Sequence, residues 1–239
     1  DIDVFSLANG SEENILNYHF SYTNINNAVQ LISEITVSTP DITLPSTTFT
    51  YYTGSENTTY KKLHTLYRIE EGEGATHTFT YTPSTAYRDG NGTSTNLLPF
   101  TVYTVSAHTT KALDDAESFT TSYNYEHGHY FADPEDAFLR EYAGFGKVTI
   151  TDPLQVKTVN YYHQSETDPE NENNALMGEF EDHIAKKGRL YRAEQYDENK
   201  NLARVSLTTW QAKPLPDADE QKTHIFVSPS QTLTLTYLE

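Results

Sequence analysis

Two histidines, His127 and His129, flank Gly128, and Asp133, Glu135 and Asp136 follow closely. A His-x-His pair on an extended strand turns both imidazoles to one face, and with a carboxylate such as Asp133 it can ligate zinc. Carboxylates in a solvated turn need no metal, so the turn is the expected reading and no metal or cofactor is assigned. The acidic runs Asp114-Asp115, Asp168-Pro169-Glu170 and Asp217-Ala218-Asp219-Glu220 lack the alternate-ligand spacing of an EF-hand loop and read as solvated loops. Acids are plentiful enough for a glycosidase pair, yet nothing sets two of them across a cleft at the ~5–9 Å such chemistry needs. No G-x-S-x-G, Walker or H-E-x-x-H element is present. No catalytic residue is expected. Three glycosylation sequons begin at Asn9, Asn57 and Asn91, as an Asn/Thr-rich chain produces by chance.

The elements that must position these residues are strands. Only 36% of residues are hydrophobic while 13% are aromatic, so the core must be built largely from Tyr, with 18 copies, and Phe, with 11. Leu16, Tyr18, Phe20 and Tyr22 alternate with polar residues, and Leu31, Ile35 and Val37 share a face with Ser33 between them. Phe49 with Tyr51, Phe79 with Tyr81, and Phe119, Tyr123 and Tyr125 follow the same period, as do Val148 with Ile150 and Val159 with Tyr161. Residues Thr232 to Tyr237 alternate strictly between polar and apolar. A period of two puts apolar side chains on one face of a half-buried strand. The one helix-period window, near Asn174 to Ile184, is short.

Turn signals separate these runs at hairpin spacing: Asn9-Gly10, Gly54-Ser55, the stretches 71–74 and 89–92, Asp133-Pro134 and Asp152-Pro153. Two longer loops are expected, an acidic insertion at 165–187 and a Pro/acid-rich loop at 213–222. Residues 1–239 otherwise read as a single antiparallel β segment. The opening Asp1-Ile2-Asp3-Val4, with neither initiator Met nor apolar leader, reads as part of a longer polypeptide.

A net charge of −18, from 34 acidic and 16 basic residues, argues against nucleic acid and anionic membranes as partners. No apolar run approaches the ~20 residues a membrane helix needs, so no membrane insertion is expected. The absence of Cys excludes disulfides and thiolate metal sites but fixes no compartment.

One block is more specific. The stretch YNYEHGHYFADPEDAFLREYAGFGKVTITDP from Tyr123 resembles the Y-x-Y-x-x-G-x-Y … R-E-F-x-G-F-G-x-V … D-P block of Rhs-repeat proteins and the middle region of Tc-toxin B components. Tyr123, Tyr125, Gly128, Tyr130, Arg140, Glu141, Gly144, Phe145, Gly146, Val148, Asp152 and Pro153 fit by position. Tyr142 replaces the usual Phe, and Ala143 stands where a second Arg is common. Downstream, Tyr196-Asp197 is similar to the pair that gives YD repeats their name, with Asn201 and Leu202 completing the turn. Lys200 stands in place of a usual Gly, so Asn199 is expected to adopt the left-handed backbone instead.

The resemblance implies a curved sheet of antiparallel YD hairpins forming part of a hollow shell. Gly144 and Gly146 would mark a bulge or corner in that sheet. By the same resemblance the function is a structural segment of a cocoon enclosing a C-terminal toxin. The partners implied are the rest of the parent polypeptide and that cargo, in a secreted or cell-surface bacterial protein. The alternative is a cell-surface adhesion or glycan-binding β module, since exposed aromatics can stack on sugars.

Overall fold

The computed structural model describes residues 1–8, 10–25, 29–53, 64–88, 92–96, 98–113, 117–132, 140–164, 184–214 and 225–237. Outside these residues lie the Gly54-Ser55 and Asp133-Pro134 turns, Asn9, Asp89 to Asn91, Asn57, Asp114-Asp115, Glu135 and Asp136. So do most of the 165–187 and 213–222 loops and all of the helix window but Ile184.

The strands are β1 (Ile2–Ala8), β2 (Ser11–Ile25), β3 (Val29–Ser38), β4 (Thr47–Tyr51), β5 (Leu66–Glu70), β6 (Thr76–Pro83) and β7 (Tyr103–Lys111). They continue as β8 (Ser118–Ala132), β9 (Arg140–Thr151), β10 (Lys157–Tyr162), β11 (Leu190–Tyr196), β12 (Leu202–Pro214) and β13 (Ile225–Thr236). Among the described residues the remaining regular structure is two single 3-10 turns, Ser84–Ala86 and Ile184–Lys186. Strand order in the hydrogen-bonded sheet is sequence order from β1 to β13. The chain is therefore all-β, as the alternation predicts. No helix among the described residues is long and apolar enough to cross a membrane.

The strands fall into two compact units, residues 1–81 with 105–120 and residues 82–104 with 121–239. In the first, Leu16, Tyr18 and Phe20 are half-buried while Ile15 and His19 face solvent. The alternation fails where β3 bulges. Ser21 pairs with Glu34 but Tyr22 pairs with Ile32, so Ser33 is an extra residue in β3, and Tyr22 beyond it is 57% exposed. In the second unit Val159, Tyr161 and Tyr191 form a buried cluster against which Tyr196 and Trp210 pack.

Three of the bulges share a feature. A bulged residue interrupts the ladder and releases backbone groups from pairing. Ser33, Tyr67 and Tyr191 are each skipped in their registers. In all three places the carbonyl one residue earlier accepts a hydrogen bond from an aromatic side chain. Tyr51 Oη donates to Ile32 at 2.8 Å, Tyr81 Oη to Leu66 at 2.9 Å, and Trp210 Nε1 to Leu190 at 2.9 Å. The polar tips of these rings thus act as part of the sheet.

Three hairpin loops, at 71–75, 152–156 and 197–201, share one backbone pattern. The first residue donates to the fifth carbonyl, and the fourth donates back to the first, at 2.8–3.0 Å. The fourth residue is left-handed each time: Gly74 (φ 94°), Gln155 (φ 65°) and Lys200 (φ 68°). The strained position is therefore Lys200, not Asn199 as expected from the sequence, because this loop type fixes the turn by position rather than by residue preference. Asp152 and Asp197 accept from the fifth residue's amide, Val156 at 2.8 Å and Asn201 at 2.7 Å. Replacing Lys200 by Gly removes the Cβ penalty at that φ. Lys200→Gly is expected to stabilise the chain by about 0.5–1 kcal/mol, read as a shift in urea midpoint.

Candidate functional site

The β8–β9 hairpin carries most of the residues singled out by motif, and its ladder is distorted in the middle. Glu126 pairs with Lys147 and Gly128 with Phe145, but His127 between them has φ 56°. Its amide leaves the ladder and donates to the Thr95 carbonyl at 2.9 Å. On β9, Gly144 has φ 82°, and the register shifts between His129 and Tyr130, skipping Ala143. The expected bulge lies beside Gly144, at the skipped Ala143, whereas the register does not shift at Gly146.

Two buried amides hold this kink. Asn96 donates through Nδ2 to the carbonyls of Ser84 (3.2 Å) and Tyr125 (3.0 Å) and accepts from the Gly128 amide at 2.6 Å. Gln164 donates through Nε2 to the carbonyls of His127 (2.6 Å) and Gly144 (3.1 Å). A side-chain amide suits this task because it has both donors and an acceptor in one plane. Gly146 is required by close approach: a Cβ there would lie inside the van der Waals envelope of Gln164 Oε1. Ser84 anchors the incoming chain, its Oγ accepting from the Val102 amide at 3.1 Å.

Around the kink the rings form a continuous set. Tyr125 packs on Tyr87 (5.8 Å between centroids) and on Phe145 (5.1 Å), and Phe145 meets Tyr142 edge-on at 6.2 Å. Phe100 stands edge-on to both Tyr130 and Tyr142, at 5.6 and 5.7 Å. These separations and tilts are those in which the ring quadrupoles attract. Burial, then the neighbouring phenols with Tyr87 first, push the Tyr125 hydroxyl up to about 12, so it stays protonated.

Other motif residues take peripheral places. Tyr123 pairs with Ile150 and Arg140 with Ala132, while Glu141 forms an ion pair with Lys187. The one-face premise for His127 and His129 does not hold, because the left-handed backbone at His127 interrupts strand alternation. Asp133 lies outside the described residues, and among those described no three His, Asp or Glu side chains are grouped to hold a metal ion.

The family described as the insecticide toxin TcdB middle/N-terminal region matches residues 30–168, more than half of the chain and all of this hairpin. The chain belongs to this family. Its fold is also that of a solved chain of the Photorhabdus luminescens Tc holotoxin pore, with a TM-score of 0.59 at 18% identity over 96% of this chain. The match spans 12% of that longer chain. No curated protein matches the sequence.

Beyond the matched residues, Tyr196 of the Tyr196-Asp197 pair serves a second buried centre, while Asp197 closes its own hairpin. Tyr196 Oη donates to Glu194 Oε2 at 2.8 Å, Tyr161 Oη to the same oxygen at 3.3 Å, and Arg192 Nε to Oε1 at 2.8 Å. Burial of Glu194 opposes its ionisation, but the hydrogen bonds from Tyr196 and Arg192, the Arg192 charge and the Tyr161 bond outweigh it and lower its pKa. Burial first, and then Glu194, drive the Tyr161 hydroxyl upward. The motif points to Tyr196 and Asp197; Asn96 and Gln164 carry no local signal, since their partners are distant in the chain, while Glu194 takes Arg192 and Tyr196 from its own strand and only Tyr161 from another.

Two outcomes follow from these centres. Gln164→Leu leaves two carbonyls without donors and is expected to cost about 2–4 kcal/mol in chemical denaturation, with Gly146→Ala also destabilising. A carboxylate with a lowered folded pKa contributes stability above its ordinary value of 4.5 and loses it as pH falls through the folded pKa. The stability advantage of the native chain over Glu194→Gln is therefore expected to hold from neutral pH to about 4.5 and shrink below it.

Proposed function

We propose that this chain is a non-enzymatic wall segment of a secreted bacterial Tc-type toxin, part of a shell that encloses a toxic C-terminal polypeptide. The observation that carries the reading is how the buried polar groups are used. Asn96 and Gln164 are engaged by backbone atoms, and Asp152 and Asp197 close hairpins. The Glu194 carboxylate is taken by Tyr161, Tyr196 and Arg192. Side chains that would do chemistry in an enzyme here satisfy the fold, which is what a container wall requires. Membership of the TcdB middle-region family supports the same assignment.

The parent polypeptide and its cargo are the partners in this reading, and the motif residues from Tyr123 to Gly146, with Tyr196 and Asp197, act structurally. Cross-linking mass spectrometry on the complete parent protein tests it. Cargo cross-links are expected on residues of this segment. Cross-links confined to surfaces outside the shell, or an open rod in low-resolution images, would refute enclosure.

A further inference from the structure

The first unit contains an open cleft of about 540 Å³. Pro45, Phe49, Ile69 and Phe79 supply apolar wall, and the ionisable groups lining it are Glu71, Glu73, His77 and His108. Glu71 opens the 71–75 loop at the place held by Asp152 and Asp197 in the other two. Its carboxylate is longer by one methylene and reaches His77 instead.

Three of these groups form a hydrogen-bonded chain. Glu71 Oε1 lies 3.1 Å from His77 Nε2, and His77 Nδ1 lies 3.1 Å from His108 Nε2. The imidazole planes are within 20°, and the His108 ring stacks on Phe79 at 4.8 Å. The carboxylate accepts, so His77 carries its hydrogen on Nε2 and accepts through Nδ1. His108 must then donate from Nε2, which leaves a lone pair on its Nδ1 when neutral. Burial, and then the adjacent His77, lower the pKa of His108. At neutral pH the cleft offers two carboxylates and an imidazole lone pair beside apolar wall, and no Lys or Arg is among the described residues that line it.

We propose that this cleft receives the cationic side chain of a basic polypeptide segment, an Arg or Lys whose stem packs on Phe49, Ile69 and Phe79 and whose head is held by Glu71 and Glu73. Such side chains pair an apolar stem with a head that only donates, and the cleft offers the complement. The net charge of −18 favours the encounter. The inference does not depend on the wall assignment. Protonation places a positive charge beside the bound head, so acid releases the ligand. Lys111 on β7 and Glu117 beside β8 do not line the cleft.

The test is fluorescence anisotropy of a labelled peptide alternating Leu and Arg against the 239-residue chain at physiological salt. The comparison peptide carries neutral citrulline for Arg. The Arg peptide is expected to bind, and Glu73→Gln to weaken it about tenfold. Glu13→Gln on β2, which changes net charge equally, is expected to leave affinity unchanged. Affinity of the native chain should fall as the solution is acidified from neutral pH, and His108→Gln should flatten that fall. Equal binding of the citrulline peptide, or equal loss from Glu13→Gln, overturns the proposal. Should Glu73→Gln alter the unfolding temperature, the pH profile of the native chain decides alone, and a flat profile overturns it.

Discussion

A sheet that bends must release some of its backbone from the ladder, and released groups that water cannot reach must find other partners. That constraint explains most of the unusual residues in this chain. Where Ser33, Tyr67 and Tyr191 interrupt their ladders, a Tyr or Trp tip takes up the carbonyl beside them. Where β8 and β9 are most distorted, the buried amides of Asn96 and Gln164 take up the released groups: Asn96 donates and accepts, and Gln164 donates to two carbonyls. The buried set reflects this: Tyr52, Tyr87, Tyr161 and Tyr191 are buried, and no Leu among the described residues is.

This also accounts for what the sequence reveals and what it hides. Alternation along β2, β8 and β13 is local, so these strands can be read directly. The turns at Asp152 and Asp197 are local too, since each carboxylate closes its own loop four residues on. The bulges are not local: nothing near Ser33 says that β3 must be longer than its partner there. Asn96 and Gln164 look like ordinary loop residues, because the carbonyls they serve lie on strands distant in the chain. Lys200 misleads for another reason. Its side chain disfavours the backbone it adopts, and the loop geometry prevails over that preference.

Glu194 illustrates why a buried charge is tolerated in such a core. Desolvation of the carboxylate would be costly alone, but two phenols and a guanidinium converge on it. The same phenols contribute ring area to the Tyr191 and Trp210 neighbourhood. Charge and packing are therefore coupled in this centre. Removing the acid would strand Arg192 and leave two hydroxyls without an acceptor.

The strand order, which runs from β1 to β13 without a crossover, has a consequence for how the chain is made. Each new strand needs only the one just completed as its template, so pairing can advance while the polypeptide is still emerging. No strand must wait for a partner several strands further along the chain. At each stage the next strand covers the growing edge. A long β polypeptide can thus assemble progressively, and shed strands in reverse order, without unravelling all at once.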